Sequence, residues 1–184
     1  MDPLLAVSRL PKLAQNAMRA SVVDALERGR MTPRAVINDA LMRFERDVQS
    51  EAPDGVRPAL LFSERDRIVR ELRGFIDGRL ATRLAALRHR DVFATGGRAA
   101  PFDAIVRNRF GHAYAIVLRR IPRDGSRLDL IRRIAKAAEH YGRVRLSGAV
   151  LYDFASGSAR LIPVCAERTN PIRVPARASR RSVA

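Results

Sequence analysis

The chain has 184 residues, enough for one domain of ordinary size or a small domain with a helical extension. Its 47% hydrophobic and 29% charged residues exclude disorder as the state of the whole chain. The 35 Lys and Arg against 19 Asp and Glu give a formal charge of +16, which favours a polyanionic partner, above all DNA or RNA.

Several broad classes of protein are disfavoured by what the sequence lacks. No apolar run approaches the roughly 20 residues that span a bilayer, so no membrane partner is expected. The N-terminal stretch carries Asp2 and no long apolar core, which argues against a signal peptide and favours a cytoplasmic protein. Cys165 is the only cysteine, which excludes an internal disulfide framework and a CxxC metal site.

Residues 1–50 are predicted to form an N-terminal helical region. Apolar residues recur every three to four positions after Pro11, and Gly29 is a suitable end for this first helix. Thr32 and Pro33 favour the start of a second helix, as N-cap and first helical residue. The apolar face of the second helix consists of Val36, Ala40, Phe44 and Val48.

Residues 51–62 contain Pro53, Gly55 and Pro58 and are predicted to form a linker. A longer helix is then predicted to begin at Ser63, which would cap it. Its expected apolar face consists of Ile68, Leu72, Phe75 or Ile76, Leu80, Leu84 and Leu87.

After this helix, short runs rich in Val, Ile, Phe and Tyr predict strands at 91–95, 101–110 and 112–121, the last two joined as a hairpin at Phe110-Gly111-His112. A capping-box pattern at Ser126 and Asp129 predicts the start of another helix, and two strands at 146–154 and 160–164 follow. The fold class is therefore α/β or α+β, with helix, three strands, helix and two strands in a mixed sheet across residues 63–168. Residues 169–184 are predicted to be a disordered basic tail.

The order of elements over about residues 64–165 resembles the PD-(D/E)XK, or restriction-endonuclease-like, nuclease core. Pro101-Phe102-Asp103 opens the second strand, and Tyr114-Ala115-Ile116-Val117-Leu118-Arg119 forms the next one. In that family an Asp near the start of one strand and a Glu-x-Lys on the following strand converge on a divalent metal and its water. The resemblance implies that Asp103 is the metal ligand and first catalytic acid, with Mg²⁺ as the cofactor.

The motif is degenerate at two positions, because Val117 stands where the second acid would be and Arg119 where the lysine would be. Valine offers no oxygen ligand, and arginine does not act as a compact ammonium. Strand alternation places 117 and 119 on one face, where they are expected to approach Asp103. A displaced second acid would come from Glu71, Asp129 or Glu139.

Asp103 also has a purely structural interpretation, as an acid that pairs with Arg107 or Arg119. The preferred hypothesis is a nucleic-acid-binding protein with a nuclease-like fold and a degenerate catalytic motif. Its phosphate contacts are predicted at Arg107, Arg109, Arg119, Arg120, Arg173, Arg177, Arg180 and Arg181.

Two alternatives remain open at this point. One is an active Mg²⁺-dependent nuclease that uses Asp103 with a displaced acid, and the other is a protein-interaction module whose N-terminal helices dock a partner. A platform of aromatic side chains for single strands is disfavoured, since aromatic residues are 5% of the chain and there is no Trp.

Overall fold

The computed structural model describes residues 3–51, 56–87, 91–95, 100–119, 126–142 and 144–164. Within these ranges the helices α1 (Pro3–Glu27), α2 (Pro33–Glu51), α3 (Pro58–Ile76) and α4 (Arg79–Ala85) come first. They are followed by β1 (Val92–Thr95), β2 (Ala104–Arg107), β3 (Ala113–Leu118), α5 (Ser126–Gly142), β4 (Leu146–Asp153) and β5 (Ser158–Pro163). The fold is α+β, and the predicted order of a helical N-terminal region, three strands, a helix and two strands is confirmed.

The strands form one mixed sheet in the order β1-β2-β3-β4-β5. Neighbouring strands are antiparallel except for β3 and β4, which run parallel. Parallel neighbours need a crossover connection, and α5 lies in the segment that supplies it. The C-terminal ends of β3 and β4 therefore lie at the same end of the sheet, near the start of β2.

The sheet separates two hydrophobic clusters. Ile116 and Leu118 pack in the cluster that contains the buried faces of α1 to α4. Ala115 and Val117 pack in a second cluster with Ile134 of α5. Because successive residues of a strand point to opposite faces, the N-terminal helices cover one face of the sheet and α5 covers the other.

The predicted N-terminal helical region contains the two helices α1 and α2. The four predicted residues of the α2 face, Val36, Ala40, Phe44 and Val48, are all buried. The first helix runs from Pro3 through Pro11 to Glu27, within the predicted helical region. Leu10 and Leu13 are both buried, so tertiary packing on either side of the proline holds the helix together despite the lost backbone donor.

The third predicted helix needs three corrections. It begins at Pro58, a residue that suits the first turn, so its first turn occupies part of the predicted linker. Ser63 consequently lies inside α3 and does not cap it. The helix is also broken at Asp77 and Gly78, after which α4 begins. A Cβ atom on Gly78 would lie 3.0 Å from the Phe75 carbonyl oxygen, so the close approach at this break favours glycine.

The helical region and the strands share one core. Met18 of α1, Phe44 of α2 and Phe75 of α3 belong to the same buried cluster as Ile116 and Tyr152 of the sheet. The Phe75 ring also makes an edge contact with the Tyr152 ring, at 4.9 Å between centroids. The N-terminal helices thus form one layer of the molecule and bring α1 side chains to the start of β2.

Candidate functional site

Asp103 lies immediately before β2 and is buried, with 3% of its side chain exposed. Its backbone N–H donates to the Ile116 carbonyl oxygen at 2.8 Å. Its Oδ2 accepts the backbone N–H of Leu118 at 2.6 Å. The carboxylate therefore satisfies a donor at the end of β3 where the regular pairing of β2 and β3 has stopped.

The other oxygen of Asp103 is bound by Arg19 of α1. The Arg19 Nε and one terminal nitrogen donate to Oδ1 at 2.8 and 2.5 Å. Arg19 is itself mostly buried, with 21% of its side chain exposed. Charge-assisted hydrogen bonds of this kind are stronger than neutral ones, and here the guanidinium neutralises a buried carboxylate.

Arg119 lies directly after β3 and completes the surroundings of this pair. It donates to the Ala100 carbonyl oxygen at 3.2 Å. Burial, above all, and then the positive charge of Arg19 lower the pKa of Arg119, while Asp103 opposes this effect and Arg133 of α5 adds to it. Arg19, Asp103 and Arg133 thus all act electrostatically on Arg119. We call Arg19, Asp103, Arg119 and Arg133 the arginine cluster.

The structural interpretation of Asp103 as an ion-paired acid is confirmed, but its partner is Arg19 rather than Arg107 or Arg119. The expected approach of position 117 to Asp103 is wrong. Val117 is fully buried in the cluster with α5, whereas the Asp103 carboxylate is directed to α1. The reason is that Asp103 lies outside the regular pairing of β2, so strand alternation does not fix its direction.

The three acids considered as a displaced second ligand have other contacts. Glu71 of α3 pairs with Arg67 at 3.6 Å, and its pKa is raised, mainly by burial. Asp129 is exposed on α5 and lies 3.8 Å from Arg132. Glu139 is exposed on the same helix. Among the described residues, no three His, Cys, Asp or Glu side chains are grouped so that they could hold a metal ion.

The surroundings of Asp103 therefore do not fit a divalent cation. Arg19 already neutralises the carboxylate, and a bound cation would lie beside the positive charges of Arg19 and Arg119. A hard cation also needs several oxygen ligands, which Val117 cannot supply.

An open groove of about 900 Å³ leads along α1 and α2 to Asp103. Its lining includes the exposed Arg9 and Lys12 of α1 and both members of the Arg19–Asp103 pair. The ion pair is thus largely buried in the fold and yet borders an open groove.

The arginines predicted to contact phosphate are divided between the two ends of β3. Arg119 belongs to the arginine cluster at one end, and Arg107 and Arg109 are exposed at the other. Arg120 and the tail residues Arg173, Arg177, Arg180 and Arg181 lie outside the described residues. Arg19 and Arg133 were missed, because no local pattern in the helices sets them apart from the other arginines of the chain.

The hairpin that was predicted between β2 and β3 lies at the other end of β3, before Ala113. The Asn108 side-chain oxygen accepts the backbone N–H groups of Phe110 and His112, each at 3.0 Å. Gly111 has a φ of +84°, which favours glycine at this position. Phe110 projects from the turn with 70% of its surface exposed.

No protein-family model, curated protein or solved structure matches this chain. None of the described helices combines the length and the apolar character that crossing a membrane requires. What the site can do chemically thus follows from its own residues.

Proposed function

We propose that this protein has a PD-(D/E)XK-like fold with a degenerate catalytic motif. It binds nucleic acid in the cytoplasm, and its contacts are to the phosphate backbone of the nucleic acid. From α3 to β5 the structure has the order of helices and strands from which the resemblance to the nuclease core was inferred, and this agreement supports the resemblance. The position of Asp103 at the start of β2, one strand before Arg119, supports it further.

The observation that carries the proposal is the charge balance of the arginine cluster. The arginine cluster contains three guanidinium groups and a single carboxylate, so it has an excess of two positive charges. Arg19 is the counter-ion of Asp103, so no metal ion is needed to neutralise this carboxylate. Arg119 and Arg133 lack such a partner in the cluster, and guanidinium groups match phosphate geometry well.

The charge of the whole chain supports the same partner. The formal charge is +16, and Lys12 and Lys136 are the only lysines among the 35 basic residues. The excess is largest after residue 100, where 17 basic residues face 6 acidic ones. Neutralising phosphates with such residues releases counter-ions, which supplies most of the affinity in sequence-independent binding.

A docking role for the N-terminal helices is less well supported. It would require an exposed apolar patch on α1 and α2. Across the described part of residues 13–48, Met42 is the one large apolar side chain that is exposed. A single exposed apolar residue is normal on the surface of a folded protein.

The proposal is tested by incubating the protein with labelled duplex DNA, single-stranded DNA and RNA at increasing salt, and by following fluorescence anisotropy. We expect binding that weakens steeply with salt. A parallel incubation with plasmid DNA and Mg²⁺ or Mn²⁺ tests catalysis, with Asp103→Ala as the control. Cleavage that Asp103→Ala abolishes would contradict the degenerate site.

A further inference from the structure

The turn between β2 and β3 holds an aromatic ring and an arginine in one exposed arrangement. The Arg109 guanidinium lies over the Phe110 ring, at 4.7 Å from its centroid. Phe110 is the most exposed large apolar side chain in the described part of the chain. A partner that covers this ring would remove its apolar surface from water, which is favourable.

Hydrogen bonds within the turn define the backbone that carries the ring. Asn108 organises it with its side chain, as described above, and also with its backbone. The Asn108 N–H donates to the His112 carbonyl oxygen at 2.9 Å, and the Gly111 N–H donates to the Asn108 carbonyl oxygen at 3.0 Å. Little conformational entropy is therefore lost when a partner contacts the ring.

We propose that Phe110 stacks on an unpaired base, while Arg109 contacts the adjoining phosphate, so that the protein prefers nucleic acid with a single-stranded segment to blunt duplex. This inference rests on the proposed function and adds the substrate class. We call residues 107–112 the hairpin tip.

The charge around the ring favours nucleic acid over an apolar protein partner. Residues 104–118 contain Arg107 and Arg109 and no Asp or Glu. Arg145 is exposed just before β4, which runs parallel to β3 and so begins at the same end of the sheet. A base offers a π-face to Phe110, and its backbone offers a phosphate to the arginines.

The hairpin tip and the arginine cluster lie at opposite ends of β3, so they can be altered separately. Loss of Phe110 should affect only the preference for unpaired bases. Loss of Arg119 or Arg133 should weaken binding to every nucleic acid to a similar degree.

The test compares the affinity of wild type and Phe110→Ala for a blunt duplex and for the same duplex with a single-stranded overhang. We expect the affinity of wild type for the overhang DNA to exceed its affinity for the blunt duplex by at least about fivefold, which is the contribution of one base–aromatic stack. Phe110→Ala should lose that preference. Phe62→Ala is the matched control, because Phe62 is 62% exposed but lies on α3. It should retain the wild-type preference.

A direct readout comes from tryptophan, because the chain contains none. In Phe110→Trp the new indole should be quenched by the overhang DNA and by a single strand, and much less by the blunt duplex. Phe62→Trp should show no quenching by any of the three.

Three outcomes would overturn the inference. If wild type binds no nucleic acid at low salt, both the proposed function and this inference fail. If wild type binds but Phe110→Ala keeps the same affinity and preference, only the inference fails. If Phe110→Trp responds to vesicles of anionic lipid and not to DNA, the tip contacts a membrane surface instead.

Discussion

Arg19 and Asp103 are 84 positions apart in the sequence and form a two-nitrogen ion pair that joins α1 to the start of β2. The same carboxylate receives the backbone N–H of Leu118 at the end of β3. One aspartate therefore connects the helical layer to two strands of the sheet, at the place where the resemblance to nucleases would put a metal ligand.

Arg19→Ala should destabilise the protein strongly, because it leaves the Asp103 carboxylate buried without its counter-charge. Removing one partner of a buried pair costs about 3–5 kcal/mol. Urea denaturation measures the free energy of unfolding. The control is Arg28→Ala, since Arg28 is 71% exposed and lies 3.8 Å from Asp24. Its loss should cost less than about 1 kcal/mol, and equal losses in the two variants would contradict the structural role of Arg19.

Two glycines at the end of α3 should respond in opposite directions to alanine. A Cβ on Gly74 meets no atom within 4 Å, so Gly74→Ala should raise the free energy of unfolding by about 0.5–1 kcal/mol through helix propensity. A Cβ on Gly78 would lie 3.0 Å from one backbone oxygen and 3.2 Å from another. Gly78→Ala should therefore lower stability by about 1 kcal/mol. Thermal unfolding of both variants checks this, and a gain from Gly78→Ala would show that the break between α3 and α4 does not need glycine.

Glu71 should make stability depend on pH in a defined direction. Burial, above all, raises its pKa above the ordinary value of 4.5, so the folded state holds the proton more tightly than the unfolded state. As the pH rises from about 4.5 through the raised pKa, this contribution is lost and the free energy of unfolding falls. Glu71→Gln cannot lose a proton, so its stability relative to wild type should increase over that window. If the free energy of unfolding depends on pH in the same way in wild type and Glu71→Gln, the carboxyl group at this position is not an ionising group affected by burial.

Much of the fold was predictable because its signals are local. The face of α2 follows from the spacing of Val36, Ala40, Phe44 and Val48, which all point to one side of a helix. The hairpin of β2 and β3 follows from two runs rich in Val, Ile, Phe and Tyr that meet at Phe110-Gly111-His112. The break at Gly78 was missed because one glycine inside a helical pattern is usually tolerated.

The candidate site was predictable only in part. Asp103 and Arg119 lie next to recognisable strands, and their types indicated a degenerate motif. Arg19 could not be found in this way, because its contact depends on how α1 packs against the sheet and leaves no mark on neighbouring residues. The direction of the Asp103 side chain likewise depends on the point at which β2 leaves its regular pairing.

Arg133 and Arg132 provide a matched pair of variants to test the proposed contact with phosphate. Both are exposed on α5, but Arg133 acts electrostatically on Arg119, whereas Arg132 is the partner of Asp129. Arg133→Ala should weaken DNA binding and reduce the slope of log K against log salt by about 1, the value for one phosphate contact. Arg132→Ala should leave the slope nearer to wild type. Anisotropy titrations at several salt concentrations measure the affinity and the slope for each variant. Equal slopes for the two variants would show that Arg133 does not contact phosphate.

The account depends most on the claim that arginines, and not a metal, hold nucleic acid at this site. The most direct measurement is the affinity of the wild-type protein for labelled DNA in EDTA and in Mg²⁺ over a range of salt. We predict binding in EDTA that Mg²⁺ does not strengthen, and a log K that falls linearly with log salt. Binding that requires Mg²⁺, or that does not change with salt, would contradict it.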